Sequence, residues 1–513
     1  MAFATSTPTV FAVIFCVWVI YLKSRRRSNL PPGPKGYPLV GSAFQLDRKR
    51  PWHTLVKWKK TYGDVVYLRL FNQDVVVLNS AKAASDLLDR RAANYSQRPR
   101  LVVPEHITGG LLLALMNVGP MWRSMRRASH EALNMRVSAR YHRPQMREGI
   151  QLAMNMLDSP NDWRNHSQRF TASGITSILY NKPPLQSSQD PVTSFLDSVV
   201  DAISSACLPG KYLVNHLPFL ESMPGFLAKW KRDSKEKHRI YSEEFLSLFL
   251  SVKETVLQKR ETGPSFVASL VETQQRHGLD DKASAWLAAM LYLAGYETTA
   301  TAMGWLILAM IAFPEAQHKV HEEIDRVVGR TRIPTLRDMD DLPYTRAVVK
   351  EVLRWRPPVP MGVFRTTAED DIYNGYYIPK GSFIIPNVWA MNHDPVTYGP
   401  EADEFRPERF LNEDGTHKES PPDTKDEGHY SFGFGRRICP GRHLANNSVL
   451  TFAILLWAAH LEPGKDDFGR VEIPNVEDEA VGINSHVPDF RCSSRPRFPG
   501  AMEMLNLAKE EWF

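Results

Sequence analysis

The run Phe432-Gly433-Phe434-Gly435-Arg436-Arg437-Ile438-Cys439-Pro440-Gly441 decides how the rest of this chain is read. A buried free cysteine usually packs as a small hydrophobe, but glycine, arginine and proline crowd around this one. Gly435 and Gly441 are expected to let the backbone turn tightly. Arg436 and Arg437 are expected to set positive charge beside a sulfur that must ionise before it can act as a ligand. The reading is a single thiolate, Cys439, presented to a metal. The Gly433-x-Gly435 pair is no dinucleotide loop, because its sixth position is Ile438 and no strand-then-helix unit surrounds it.

The run also matches Phe-x-x-Gly-x-Arg-x-Cys-x-Gly at Phe432, Gly435, Arg437, Cys439 and Gly441, and on that match it resembles the haem loop of the cytochrome P450 family. The resemblance implies that Cys439 is the metal ligand and that the cofactor is haem b (iron protoporphyrin IX). Phe432 and Arg437 are then expected to help hold it. A thiolate beneath haem iron favours O–O cleavage, so the implied activity is that of a monooxygenase.

A second segment, residues 283–313, is apolar on all sides and ends before Pro314. Such a stretch is either a membrane span or the buried axis of a large domain, and the Cys439 loop points to the buried axis. Its centre, Ala294-Gly295-Tyr296-Glu297-Thr298-Thr299, resembles the family's oxygen-binding motif in its long distal helix. Small residues at Ala294 and Gly295 let a ligand approach the backbone, while Thr298 can satisfy a loosened carbonyl or hold water. Glu297 beside it gives a buried proton path, so Glu297 and Thr298 are the expected catalytic pair.

Trp122 and Arg126, at i and i+4, match the family's Trp-x-x-x-Arg helix, whose side chains face a haem propionate. Arg365 and Arg437 resemble further propionate contacts, and a planar guanidinium fork suits a carboxylate. Glu351 and Arg354, three apart, share a helix face and can pair. With Phe405-Arg406-Pro407-Glu408-Arg409-Phe410 they match the family's Glu-x-x-Arg and Pro-Glu-Arg-Phe segments, which implies a buried triad of Glu351, Arg354 and Arg409 serving fold and haem retention. The likeness runs nearly end to end. Within the family it resembles fungal microsomal (class II) enzymes of secondary metabolism, of the O-methylsterigmatocystin oxidoreductase type.

The chain's 513 residues, 43% of them hydrophobic, can bury a large core. No repeat or long linker divides it, and the polar run 412–429 reads as a surface loop. Four cysteines without a Cys-x-x-Cys pair make neither a disulfide framework nor a zinc site, which implies a reducing compartment. The net charge of +6 is modest, but arginines cluster at 123, 126, 127, 136, 140, 143 and 147. No aromatic residues are interleaved as a nucleic-acid stacking platform requires, so no nucleic-acid partner is expected. A solvated helix face and a docking face for an acidic electron donor both fit the cluster.

Residues 2–22 carry no charge and reach the length of a bilayer span. Lys23, Arg25, Arg26 and Arg27 follow at once, which keeps the bulk of the chain cytosolic. A cleaved signal peptide is the competing reading, and its basic start is absent. Prolines 31, 32 and 34 then stiffen the connection. The expected organisation is therefore a transmembrane anchor at 1–22, a basic and Pro-rich hinge at 23–40, and a haem domain at 41–513. Sequons at Asn94, Asn165 and Asn446 would stay unmodified on the cytosolic face.

The resemblance places substrate walls in residues 101–116 and 208–226, around Tyr292 and Tyr296, and at 359–364, with leucines making them mainly apolar. The substrate expected is a small apolar natural product drawn from the membrane, terpenoid-like first and a polyketide or indole compound second. Residues 208–226 are candidates to dip into the bilayer. The expected fold is mainly α, the cytochrome P450 fold with a large helical haem domain and a smaller β-rich part, behind the N-terminal helix. Electrons are expected from NADPH-cytochrome P450 reductase at the endoplasmic reticulum membrane. A haem-thiolate isomerase or peroxygenase needing no reductase is the alternative, and a membrane-anchored haem sensor stands behind it.

Overall fold

The segment around Glu297 folds as one 32-residue helix, Asp281–Ala312. Asp280 caps it, its carboxylate accepting the Ala283 amide proton at 2.7 Å, and Phe313 and Pro314 end it where proline removes the next amide donor. Buried side chains occur all round its two ends, as an axis enclosed by other helices requires. A computed structural model describes residues 29–187, 190–208, 210–215, 217–260, 263–477 and 485–513. The expected anchor at 1–22 and the hinge's basic cluster Lys23, Arg25, Arg26 and Arg27 lie outside them.

In chain order the principal helices are α1 (Pro120–Leu133), α2 (His142–Asp158), α3 (Trp163–Tyr180), α4 (Pro191–Cys207), α5 (Lys229–Leu257), α6 (the Asp281–Ala312 helix), α7 (Pro343–Trp355) and α8 (Ser448–Ala458). α3 and α5 lie along α6, and α2 lies along α8. Helix α8, with ten of its eleven side chains fully buried, fills the space beneath the Cys439 loop. Burying such a side chain contributes roughly 1.5–3 kcal/mol. Among the described residues no single helix is long and apolar enough to cross a membrane.

The smaller β-rich part is a four-stranded sheet in the order β1-β2-β6-β3, with β1 (Val65–Leu70), β2 (Gln73–Leu78), β3 (Arg365–Thr366) and β6 (Phe383–Pro386). β1 and β2 form an antiparallel hairpin, whereas β2 and β6 run parallel because most of the helical domain separates them in sequence. Residues of the Pro-rich segment lie along this sheet, the Pro32 carbonyl accepting from the Tyr67 amide at 3.0 Å. Short hairpins β4 (Asp371–Tyr373) with β5 (Tyr376–Ile378), and β7 (Ala459–Pro463) with β8 (Cys492–Pro496), complete it. The sheet's use to the site is that β3 delivers Arg365 to the cavity edge.

On α7 the expected triad is present and fully satisfied. Arg354 donates to both carboxylate oxygens of Glu351, at 2.6 and 2.8 Å, and Arg409 Nε donates to Glu351 Oε1 at 3.0 Å. The remaining Arg354 donors hold the carbonyls of Asn392, Ala402 and Glu404. Asn392 in turn accepts from the Tyr430 amide at 2.9 Å and donates to Ser431 Oγ at 3.0 Å. The buried charges therefore connect by continuous hydrogen bonds to the start of the Cys439 loop. Leaving one of three such groups without its partner costs about 3–5 kcal/mol.

Candidate active site

The loop closes on itself: Cys439 N–H donates to the Phe432 carbonyl at 2.9 Å, around a single 3₁₀ turn at Gly435–Arg437. Gly435 has φ +53°, and a Cβ there would stand 2.1 Å from the Leu88 carbonyl oxygen, so only glycine fits. Its amide donates to the Asp89 carboxylate, which pins the loop to the helical turn Ser85–Arg90 that follows β2. Gly441 differs from expectation, since its φ of −87° is ordinary and its lack of a side chain only leaves clearance beside the sulfur. Cys207, Cys439 and Cys492 are all free thiols, and Cys16 lies outside the described residues.

The charges that bear on the thiol are also not those expected. Burial pushes the Cys439 thiol up, against which the Gly441 amide, Arg126 and Arg442 pull it down. Arg436 and Arg437 take no part in this. Arg437 turns back instead, donating to the carbonyls of Ser96 at 2.8 and 2.9 Å, Met116 at 2.6 Å and Leu113 at 3.3 Å.

Arg437 also stands over the Trp122 ring, 4.5 Å from its centroid. One turn along α1 from Trp122, Arg126 donates to the Ile438 carbonyl. Arg365 donates to the Phe434 carbonyl at 2.7 Å. A fourth cation, Arg98, joins them, bonded to the carbonyls of Ala114 and Val363 at 2.7 Å. The sequence offered no motif for it. All four line one cavity with Trp122, Phe432 and Cys439. Burial lowers each of them: Arg437 to about 9, Arg365 to about 10, Arg126 less and Arg98 well below its ordinary value. Mutual repulsion adds to burial at Arg98 and Arg437.

Among the described residues none of the four has a carboxylate ion-pair partner, and Arg365 Nη1 and Trp122 Nε1 are buried with no hydrogen-bond partner at all. Buried cations and orphaned donors are costly unless an anion meets them. A flat group with a metal at its centre and two carboxylates at its edge would satisfy both, with the Cys439 sulfur on one face. These residues fit haem.

Above that floor, α6 supplies Ala294, Glu297, Thr298 and Ala302 to the cavity wall. Thr298 Oγ1 donates to the Ala294 carbonyl at 2.7 Å, which leaves the hydroxyl oxygen free to accept. Glu297 is not sealed in a dry helix as expected. About a quarter of its side chain is exposed, and its Oε1 lies 3.1 Å from His486 Nε2. His486 sits 189 positions away in a loop, beyond the reach of local patterning. The stretch of α6 around Tyr292 and Tyr296 lines the cavity as expected, through Met290, Leu291 and Leu293, but the two tyrosines themselves stack on each other with centroids 5.5 Å apart, and Tyr296 donates to Asp197 at 3.0 Å on the α4 side.

The cavity holds about 860 Å³, at the upper end for small-molecule sites. Of the expected walls, Leu113, Leu208, Val359 and Val363 line it, joined by Met290, Leu291 and Ile175. Asp201, Ser204 and Ser205 add a polar edge from α4. The triad of Glu351, Arg354 and Arg409 does not reach the cavity. Of the arginine cluster, residues 123, 127, 136, 140 and 143 are exposed. Arg126 belongs to the cavity, and Arg147 donates to the terminal carbonyls of Trp512 and Phe513.

The Cytochrome P450 family profile matches residues 31–458. Cytochrome P450 monooxygenase ARMGADRAFT_1018420 of Armillaria gallica is 43% identical, over 98% of this chain and 96% of the relative. Cytochrome P450 monooxygenase 58 of Postia placenta is 42% identical over 94% of this chain and 91% of its own. Cytochrome P450 monooxygenase iboC of Amanita muscaria is 36% identical over 97% and 96%. Likeness at this level over nearly whole chains, with a lone cysteine beneath a ring of uncompensated arginines, places the chain in the cytochrome P450 family, as a monooxygenase.

Proposed function

We propose that this enzyme inserts one atom of dioxygen into a small apolar natural product, with haem b held on the Cys439 sulfur. The observation that carries the reading is the buried thiol at the floor of an 860 Å³ cavity whose arginines lack counter-charges. Haem bound there supplies the activation of dioxygen. Cys439 is its ligand, Phe432 packs in the loop against it, and Trp122, Arg126, Arg365 and Arg437, with Arg98 added, hold its propionates. Thr298 fixes water beside α6 and Glu297 carries protons to it, so that protons reach the reaction without flooding the cavity.

The apolar wall of Leu113, Met290, Leu291 and Val363 favours a terpenoid-like skeleton, with a polyketide or indole compound second, within secondary metabolism. Leu213, Leu217, Phe219, Phe226 and Leu227, in the segment that follows α4, are exposed, and these apolar side chains suit contact with a bilayer. Residues 1–22 anchor the chain in the endoplasmic reticulum membrane with the haem domain cytosolic, through the hinge at 23–40. Electrons come from NADPH-cytochrome P450 reductase, docked on the exposed arginines of α1 and the segment after it.

Two measurements test this. The reduced protein exposed to carbon monoxide should show the red-shifted Soret band of a thiolate-bound haem, and its absence removes the oxygenase reading. Co-expression with a reductase in a host fed terpenoid, polyketide and indole scaffolds should yield products heavier by one oxygen. Turnover indifferent to NADPH and reductase would replace the monooxygenase with a peroxygenase or isomerase.

A further inference from the structure

Glu297 stands on a partition. On one side is the main cavity; on the other is a chamber of about 60 Å³ bounded by Trp163, Arg164, Ser167 and Gln168 of α3 and by Val487. Among the described residues only Glu297 and His486 line both spaces. The imidazole borders the chamber and is about one-third exposed, and its Nε2 lies 3.1 Å from Glu297 Oε1.

The backbone around His486 is held from both directions. Trp305 Nε1 on α6 donates to the Ser485 carbonyl at 2.8 Å, and Trp163 Nε1 on α3 donates to the Phe490 carbonyl at 3.0 Å, its ring stacked 4.3 Å from Phe490. Two buried indoles thus fix where the imidazole starts. Arg164, which also lines the chamber, is occupied by Asp489 at 2.7 Å and the Val487 carbonyl at 2.9 Å. The other titratable groups near the pair are Tyr296 on α6, which burial keeps neutral, and Asp197 and Asp201 on α4.

We propose that His486 is the positioning residue that holds Glu297 at the cavity wall beside Thr298 and supplies it with protons from water in the side chamber. The proposal rests on the oxygenase reading above. In each transfer the imidazolium Nε2–H bond breaks as a Glu297 Oε1–H bond forms. The neutral imidazole then takes a proton from chamber water, which solvent replenishes, and no electrons move. Glu297 releases the proton into the cavity next to the Thr298 hydroxyl. A histidine suits the task because its charge changes between pH 5 and 8.

The test uses the full chain with its reductase and compares His486→Gln and His486→Ala with the unmodified enzyme from pH 6 to 8.5. Product formed per NADPH consumed should fall at least about tenfold in both variants. Its dependence on pH should flatten, while the red-shifted Soret band and thermal midpoint stay in place. Glutamine can still donate a hydrogen bond to Glu297 but cannot titrate, so full coupling and an unchanged pH profile in H486Q overturn proton supply. A second arm reads the contact without turnover: in ring-labelled protein the His486 resonance, assigned by its loss in H486Q, should change its chemical shift in E297Q. A resonance indifferent to E297Q also overturns the proposal. Loss of the Soret band from the unmodified enzyme would instead remove the oxygenase reading, and the resonance arm would still report on the pair.

Discussion

The floor and the far wall of the cavity are built on opposite rules. At the floor the Cys439 loop is held at many points, by the Phe432 carbonyl, by Asp89 against Gly435, and by Arg126 and Arg365 gripping the Ile438 and Phe434 carbonyls. At the far wall Thr298 has one hydrogen bond, to its own helix, and Glu297 touches a single partially exposed histidine. On the proposed reading, the thiol that would hold the cofactor is over-determined, whereas the groups that would pass protons keep few partners and access to water. Stability and chemistry are therefore assigned to different faces of one cavity.

That division can be broken first at its strongest point. Cys439→Ser should abolish both turnover and the red-shifted Soret band, measured by carbon monoxide difference spectroscopy, because serine offers no thiolate to the iron. Next, Glu351→Ala should destabilise the chain by about 3–5 kcal/mol, since it strands Arg354 and Arg409 among buried carbonyls. Denaturant or thermal unfolding checks this, and loss of haem during purification is the expected sign of the triad's link to Tyr430 and Ser431. The far wall should answer differently. Thr298→Ala should leave the Soret band and stability intact while lowering product per NADPH at least about tenfold and releasing peroxide.

The smallest effect sharpens the comparison through pH. His429 is buried beside Phe432, its ring centroid 5.3 Å away, and burial lowers its imidazole to about 3. In the unfolded chain the same group takes a proton near its ordinary value of 6.5. Its contribution to stability is therefore whole above about pH 6.5 and is lost as pH falls towards 3, by up to about 1.4 kcal/mol per pH unit. Thermal midpoints of His429→Asn should show a shallower fall with acid across that window than the unmodified chain.

What could be read in the sequence follows the same division. The floor was legible because a tight loop demands glycine at 435 and a carboxylate-binding edge demands arginine at 126, 365 and 437 in local, recognisable frames. The triad was legible for the same reason, Glu351 and Arg354 being one turn apart. Arg98 escaped because its carbonyl partners Ala114 and Val363 carry no side-chain signature. His486 escaped because its partner is reached only through the packing of α3 and α6. The source of charge on the sulfur was misjudged for a related reason: adjacency in sequence suggested Arg436 and Arg437, whereas the chain's turn aims Arg437 at backbone carbonyls and brings Arg126 and Arg442 near instead.

The crowd of guanidinium groups bears on how this protein is made as well as on how it works. Like charges facing one another in a low-dielectric hollow repel, and among the described residues no carboxylate forms an ion pair with any of the four. Arrival of the prosthetic group's two carboxylates is then a late step of maturation, linked to folding by mass action. Intracellular haem supply should set the yield of intact protein in any expression host.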